Sequence, residues 1–484
     1  METPNPSPDP RKIPFVMAGV MLGLLIAALD GTIVSTIMPT VIRDLHGMEY
    51  YVWPFAVYLL TSTIATVVFG RCSDLYGRKR IFLIGIALFL AGSVLCGLAP
   101  GMTGFILFRG VQGIGGGILT ALAFIIVAEL FPPWERGRYI GILVSSFGIA
   151  SIAGPLLGGT ITDLLGWRWV FYINLPLGAI AWLLVSAELP ETARIPENRQ
   201  IDRAGIAAFV GAMVPLFIAV SCGGTLLAWT SPQVTGLFIL SAVLLAVFIR
   251  IERDAQNPLL PLYLFRNRIY LSTAIASFLV NALFYAGIIY LPLFMQDVVK
   301  TSASGTGMLI TPMVVSLIVA SVACGRIIRT TRRYKPAAIG GFIVAGIAIL
   351  MLSTLSSGTP ALFIVAATVL LGWGVGTLYP VLAVAAQNAM PPEDLGIVTS
   401  SQQFFRNMGA TLLTPVFGFV MYAGLGSQAG IALLLVPPEA LAHAIQGVFI
   451  SCIAIVVVAI LLMIRLEEIP LRSRDRPVPV DSAG

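Results

Sequence analysis

Charge is scarce in this chain. Of its 484 residues only 11% are Asp, Glu, Lys or Arg, against about a quarter in soluble domains. With 57% of the residues hydrophobic, polar groups are too few to cover a water-facing surface. That excludes a soluble fold and points to a bilayer, whose hydrocarbon is itself apolar. Histidine is almost missing: His46 and His443 stand far apart and read as loop residues, not as ligands. The five cysteines (Cys72, Cys96, Cys222, Cys324, Cys452) are odd in number, irregularly spaced and form no C-x-x-C pair. Neither a disulfide framework nor a metal site is expected. No G-x-x-x-x-G-K-[ST] loop occurs, which disfavours an ATP-driven pump. No polar stretch is long enough for a separate domain; the longest are about 188–203, about 250–269 and the tail after Arg465. A membrane enzyme or receptor is therefore a poor fit, and no cofactor is called for.

What the chain has is long apolar runs and small residues. Gly occurs 48 times, and small residues let helices approach closely in lipid. A spanning helix needs roughly 20 mostly apolar residues. That rule predicts fourteen spans: 14–41, 51–70, 81–99, 103–131, 138–163, 167–187, 204–223, 232–249, 270–295, 305–328, 337–356, 360–388, 397–423 and 442–465. The Pro-rich start precedes an apolar run too long for a signal-peptide core and without an evident cleavage site, so it reads as a retained first span. The segment 424–441 (GLGSQAGIALLLVPPEAL) reads either as an interfacial piece or as an ordinary loop.

The basic residues set the expected orientation. With the N-terminus in the cytoplasm, 24 of the 29 Lys and Arg fall on inner segments and only Arg43, Arg168 and Lys300 on outer ones. Both termini are then cytoplasmic. The net charge of +6 follows from topology, with no need for nucleic acid. Arg109 and Arg406 fall within helices.

An internal echo joins GRCSDLYGRKR (70–80), a loop after helix two, to GRIIRTTRRYK (325–335) after helix ten. It divides the chain into a six-helix bundle (1–190), an inserted two-helix linker (191–268), a second six-helix bundle (269–466) and a cytoplasmic tail (467–484). Two such halves around a central site are a recurring transporter plan.

Four stretches resemble the major facilitator superfamily, in its fourteen-helix drug:proton antiporter branch. The first is 70–80, similar to G-x-L-a-D-r-x-G-r-k-x; Gly70, Asp74, Gly77, Arg78 and Lys79 match, while Cys72 and Ser73 depart. The resemblance implies a gating loop that latches the halves in the outward-facing state, with Glu129 as an acid pairing to its basic residues. The second is FRGVQGIGGG (108–117), similar to R-x-x-q-G-x-g through Arg109, Gln112 and Gly113. The third is GIASIAGPLLGG (148–159), similar to the antiporter motif g-x-x-x-G-P-x-x-G-G through Gly154, Pro155, Gly158 and Gly159, with Ala150 at the first small position. Its presence implies export over uptake. The fourth is AALDGTIVSTIMP (27–39), similar to L-D-x-T-i-V-n-x-a-L-P through Leu29, Asp30, Thr32, Val34 and Pro39, with Ser35 for Asn. The implied fold is all-α: two six-helix bundles with inverted repeats about a pseudo-twofold axis, plus two inserted helices.

The residues themselves single out Asp30. It lies about 22 Å along its helix from Phe15 at 1.5 Å per residue. Glu129, Asp163, Glu188 and Asp297 fall near helix ends, so Asp30 reads as the one deep acid. A carboxylate shielded from water resists ionisation, and can bind and release protons as its access alternates. Arg109 is costly in hydrocarbon, by about 2.5–3.5 kcal/mol, so it either finds an interior partner or reaches to the outer interface. The resemblance gives it a role in proton coupling with Asp30. Tyr58, Asn281, Tyr285, Gln402, Phe405 and Arg406 are expected around a central cavity as substrate-binding residues. A lone acid suits cationic or neutral amphiphiles. The expected activity is proton-coupled export of such compounds by a monomer in the plasma membrane; a dedicated exporter of one metabolite, siderophore or lipid has the same fold.

Overall fold

The computed structural model describes residues 12–131, 133–190, 203–255, 259–391, 395–426 and 436–470. Fourteen helices in it are long and apolar enough to cross a membrane. They are α1 (Ile13–Leu45), α2 (Trp53–Tyr76), α3 (Arg78–Gly97), α4 (Met102–Leu130), α5 (Pro133–Leu165), α6 (Asn174–Glu188), α7 (Arg203–Cys222), α8 (Pro232–Asp254), α9 (Arg268–Leu293), α10 (Ala303–Thr331), α11 (Lys335–Leu352), α12 (Ala361–Asn388), α13 (Leu395–Leu425) and α14 (Pro438–Arg465). A single helical turn, Trp169–Tyr172, leads into α6, and a π-turn, Phe294–Val298, prolongs α9. No strand occurs among the described residues. Every backbone polar group in a lipid-facing segment must be satisfied internally, which helices achieve.

The ends follow local chemistry. Ser231 caps α8 by accepting from the Val234 amide, with Pro232 in the first turn. The Asn267 side chain accepts from the Ile269 and Tyr270 amides at the start of α9. Each supplies an acceptor to amides that have no partner inside their helix.

Two corrections concern boundaries. The segment 70–80 is not a loop: α2 continues to Tyr76, α3 starts at Arg78, and only Gly77 interrupts, at φ +90°. Likewise α10 runs to Thr331 and α11 begins at Lys335. Hydropathy marks where the apolar run stops, but helix hydrogen bonds continue past the hydrocarbon. His443 lies in the first turns of α14, bonded to Gln446, not in a loop. Most of the 424–441 segment, the 188–203 stretch and the tail lie outside the described residues.

The halves α1–α6 and α9–α14 meet along two seams. On one, α5 packs against α10: a side chain on Gly159 would strike the backbone of Ser304, and one on Gly307 the carbonyl of Pro155. On the other, α2 lies beside α13, and the inserted pair α7–α8 rests on it through Trp53–Phe217, Phe209–Phe404 and Trp229–Phe419 at ring-centroid distances of 6.1, 5.6 and 5.4 Å. Within its most apolar stretch α8 is only 17% buried and α9 is 72% buried. The inserted pair is therefore peripheral, and α9 lies at the centre.

Candidate functional site

Helix α4 threads between α2 and α3. Side chains on Gly113 and Gly117 would collide with the backbones of Tyr58 and Ser62 in α2, and one on Gly115 with that of Phe89 in α3. This close approach carries Arg109 and Gln112 into the middle of the first half. Three residues apart, they share one face of α4. Asp30 faces them from α1.

Both Asp30 oxygens are engaged. Oδ2 accepts from Arg109 Nη1 at 2.6 Å, and Oδ1 accepts from Gln112 Nε2 at 2.8 Å. Arg109 Nη1 also donates to Gln112 Oε1 at 2.6 Å. Gln112 Nε2 reaches Ser93 Oγ of α3 at 2.7 Å, and Asn174 Nδ2 of α6 donates to the same oxygen at 2.9 Å. The Arg109 guanidinium lies 4.2 Å from the Tyr58 ring centroid. Side-chain exposure is 1% for Arg109 and 2% for Asp30. Arg109 Nε has no hydrogen-bond partner. Such a pair is stable while both charges persist; removing one leaves the other buried and unbalanced.

The other face of α1 serves a different contact. Thr32 Oγ1 donates to the Ala150 carbonyl of α5 at 3.1 Å. Side chains on Gly154 and Gly158 would strike Thr32 and Ile33. The Gly-Pro stretch of α5 thus packs on α1 with some of its small residues and on α10 with Pro155 and Gly159.

In the second half, Arg406 of α13 lies 4.8 Å from the Tyr379 ring centroid of α12 and donates to Gln403 Oε1. Asn281 of α9 donates to the Arg406 carbonyl at 2.9 Å and accepts from Tyr379 Oη at 2.8 Å. Gln402 accepts from Ser277 at 2.7 Å and donates to Thr273 at 2.9 Å. Tyr285 packs edge-on against Phe284 at 5.9 Å, and Phe284 packs against Tyr379 at 6.4 Å.

At the face opposite the N-terminus, the halves are tied together. Arg43 Nη2 meets Asp297 Oδ1 at 2.6 Å, and Gln296 Nε2 donates to the Thr36 carbonyl at 2.6 Å. Tyr51 Oη donates to the Ile289 carbonyl at 2.7 Å, and Asp163 accepts from the Ser304 amide at the start of α10 at 3.0 Å. At the terminal face, the ion pairs among described residues stay within one half: Lys12–Glu188 and Arg333–Glu468.

The structure therefore joins Asp30, Arg109 and Tyr58 in one cluster and Asn281, Gln402 and Arg406 in another neighbourhood. It leaves Phe405 apart, packed edge-on to Phe265 and Phe404 at 5.5 and 5.3 Å. Asp30 is not the only buried acid: Asp297 and Glu252 are 4% and 3% exposed, each at a helix end, where Asp297 pairs with Arg43 and Glu252 accepts from the Leu260 amide. Arg78 donates to the Gly70 carbonyl and to Ser73, while Lys79 lies in the first turn of α3. The Asp74 and Glu129 side chains lie outside the described residues. Sequence reasoning missed Gln112 as a partner of Asp30, and Ser93, Asn174, Tyr379 and Gln403 altogether. For Gln112 a signal existed in its i+3 spacing from Arg109.

Residues 20–415 match the family described as the Major Facilitator Superfamily. The multidrug transporter protein MdtP of Bacillus subtilis is 39% identical over 388 residues, covering 80% of this chain and 71% of that protein. Multidrug resistance protein 3 of the same organism is 36% identical, over 78% and 74%. In solved structures, a bacterial homologue of the human lysosomal transporter Spinster, inward-facing and unoccupied, aligns with a TM-score of 0.69 at 16% identity. The alignment covers 94% of this chain and 96% of that one, a likeness that speaks for the fold alone.

Proposed function

The chain belongs to the major facilitator superfamily, hence is a multi-pass membrane transporter and not an enzyme, and on that premise we propose that it exports amphipathic, cationic or neutral drug-like compounds in exchange for protons by alternating access. The observation that carries the reading is the buried Asp30–Arg109–Gln112 cluster. When Asp30 is ionised, Arg109 and Gln112 satisfy it. When a proton neutralises it, Arg109 loses its counter-ion inside a shielded site, where an unpaired charge costs several kcal/mol. The cluster must then rearrange, and a shift of α1 against α4 separates the two partners. Because the far face of α1 is seated on Gly154 and Gly158, its movement reaches the α5–α10 seam. A proton thus biases which face of the seam is open. A cationic cargo competes for Asp30 once Arg109 has swung aside.

The basic bias supports a cytoplasmic terminal face and a plasma-membrane location. The ties Arg43–Asp297 and Gln296–Thr36 then close the outer side, and breaking them opens it. Residues 1–190 and 269–466 act as the two rocking halves, and 191–268 as a peripheral insert. The 70–80 segment, with Asp74 and Glu129, serves as the inner latch. A single chain encloses the whole site, so a monomer suffices, and the proton gradient stands in place of any cofactor. The relatives named as multidrug transporters support a broad cargo range. The test is proton release from proteoliposomes on addition of a cationic dye. The wild type is expected to release protons, and Asp30→Asn to bind dye without proton release. Uphill, pH-driven efflux by Asp30→Asn would defeat the reading.

A further inference from the structure

The two intramembrane arginines are held alike but balanced differently. Each guanidinium faces a tyrosine ring, Arg109 that of Tyr58 and Arg406 that of Tyr379. Arg109 has a carboxylate at 2.6 Å. Among the described residues, Arg406 has none within 4 Å: its side-chain partner is the neutral amide of Gln403. It lines a cleft of about 70 Å³ together with Ser277, Tyr379, Gln387, Gln402 and Gln403. None of these lining groups carries a negative charge. The framework around it is already committed, since Asn281 fixes both the Arg406 backbone and the Tyr379 hydroxyl. With Asp30 balanced by Arg109, the two clusters together carry, among the described residues, one positive charge without a carboxylate partner, and it lines this cleft.

From this imbalance, and resting on the reading of the chain as an exporter of amphiphiles, we infer that the Arg406 cleft is a subsite for an oxyanion end group of the cargo, a carboxylate above all. A carboxylate presents two oxygens to a guanidinium fork, whose planar donors match it bidentately. The cleft is small, about 70 Å³, room for a charged end group beside the guanidinium. The body of the molecule extends out of the cleft. The cargo range thereby widens from cations to zwitterions that place an acid at Arg406 and a cationic end nearer Asp30.

Equilibrium binding tests this without reference to proton coupling. The probes are rhodamine 110, which carries a free carboxylate, and rhodamine 123, its methyl ester. Fluorescence anisotropy is read on the detergent-purified full chain. The wild type is expected to hold the acid more tightly than the ester. Arg406→Gln weakens the acid at least about tenfold and leaves the ester unchanged, and Arg406→Lys restores part of the loss. Equal affinity of the wild type for both dyes overturns the proposal. So does no binding of the acid, or an equal loss of both dyes in Arg406→Gln, which marks a purely structural arginine. Excess acetate is expected to compete with the acid dye and not with the ester; equal displacement of both dyes also overturns it. Failure of proton exchange leaves each of these outcomes readable, so the two readings fall separately.

Discussion

The first half of the molecule keeps its buried charge balanced, whereas the second half leaves it open. Arg109 is closed off by Asp30, Gln112 and Tyr58; among the described residues, Arg406 is held by a tyrosine and a glutamine. The same register that superposes 70–80 on 325–335 carries Asp30 onto Tyr285. One half therefore has a buried carboxyl, the group proposed to exchange protons, and the other has a phenol at the matching place. The difference suggests a division of labour, with proton traffic in the first half and cargo selection in the second.

The comparison breaks hardest at Arg109. Arg109→Gln strands an acid in a shielded site and is expected to destabilise the protein by about 3–5 kcal/mol. A fall in melting temperature in detergent would report it. Adding Asp30→Asn should return more than half of that loss, because the double variant has no buried charge; equal melting of single and double variants would deny that the two are coupled. The next effect lies in the other half. Gln403→Glu gives Arg406 the counter-ion it lacks. The second half then resembles the first, and affinity for the carboxylate dye should drop about tenfold, or ~1.4 kcal/mol, with the ester unaffected.

The smallest effects sit where the halves echo one another. Seven residues after the glycine of the shared Gly-Arg, both halves turn through positive φ, at Gly77 with +90° and at Arg332 with +54°. Glycine adopts such angles without steric cost, and arginine does not. Gly77→Ala should lower stability by about 1–3 kcal/mol, while Arg332→Gly should raise it by up to about 1 kcal/mol. Opposite shifts in melting temperature would confirm that one turn is built on the right residue and its twin is not.

The fourteen spans were legible because long apolar runs have few alternatives in any fold. The depth of Asp30 and the need of Arg109 for company were legible for the same reason: charge in hydrocarbon must be explained. Which helix supplied the company was not, since nothing in either segment states which faces meet. That depended on the glycines of α4, whose spacing says only that something packs closely. The packing of Phe405 on Phe265 was not legible, because an aromatic on a helix looks the same whether it lines a cavity or packs on a neighbour. The apparent loop at 70–80 misled because a charged helix end and a charged loop have the same hydropathy. That no described carboxylate lies beside Arg406 was likewise invisible, being a matter of what is near it in space.

Cys96 is fully buried in α3, its sulfur 3.7 Å from Gln112 Oε1. A thiol shut away in this manner meets an alkylating reagent only after water has entered around the glutamine. The protein therefore carries a native chemical tag inside its most guarded chamber. The pace at which that sulfur becomes modified would time each excursion of the chamber to the solvent, with no foreign label introduced.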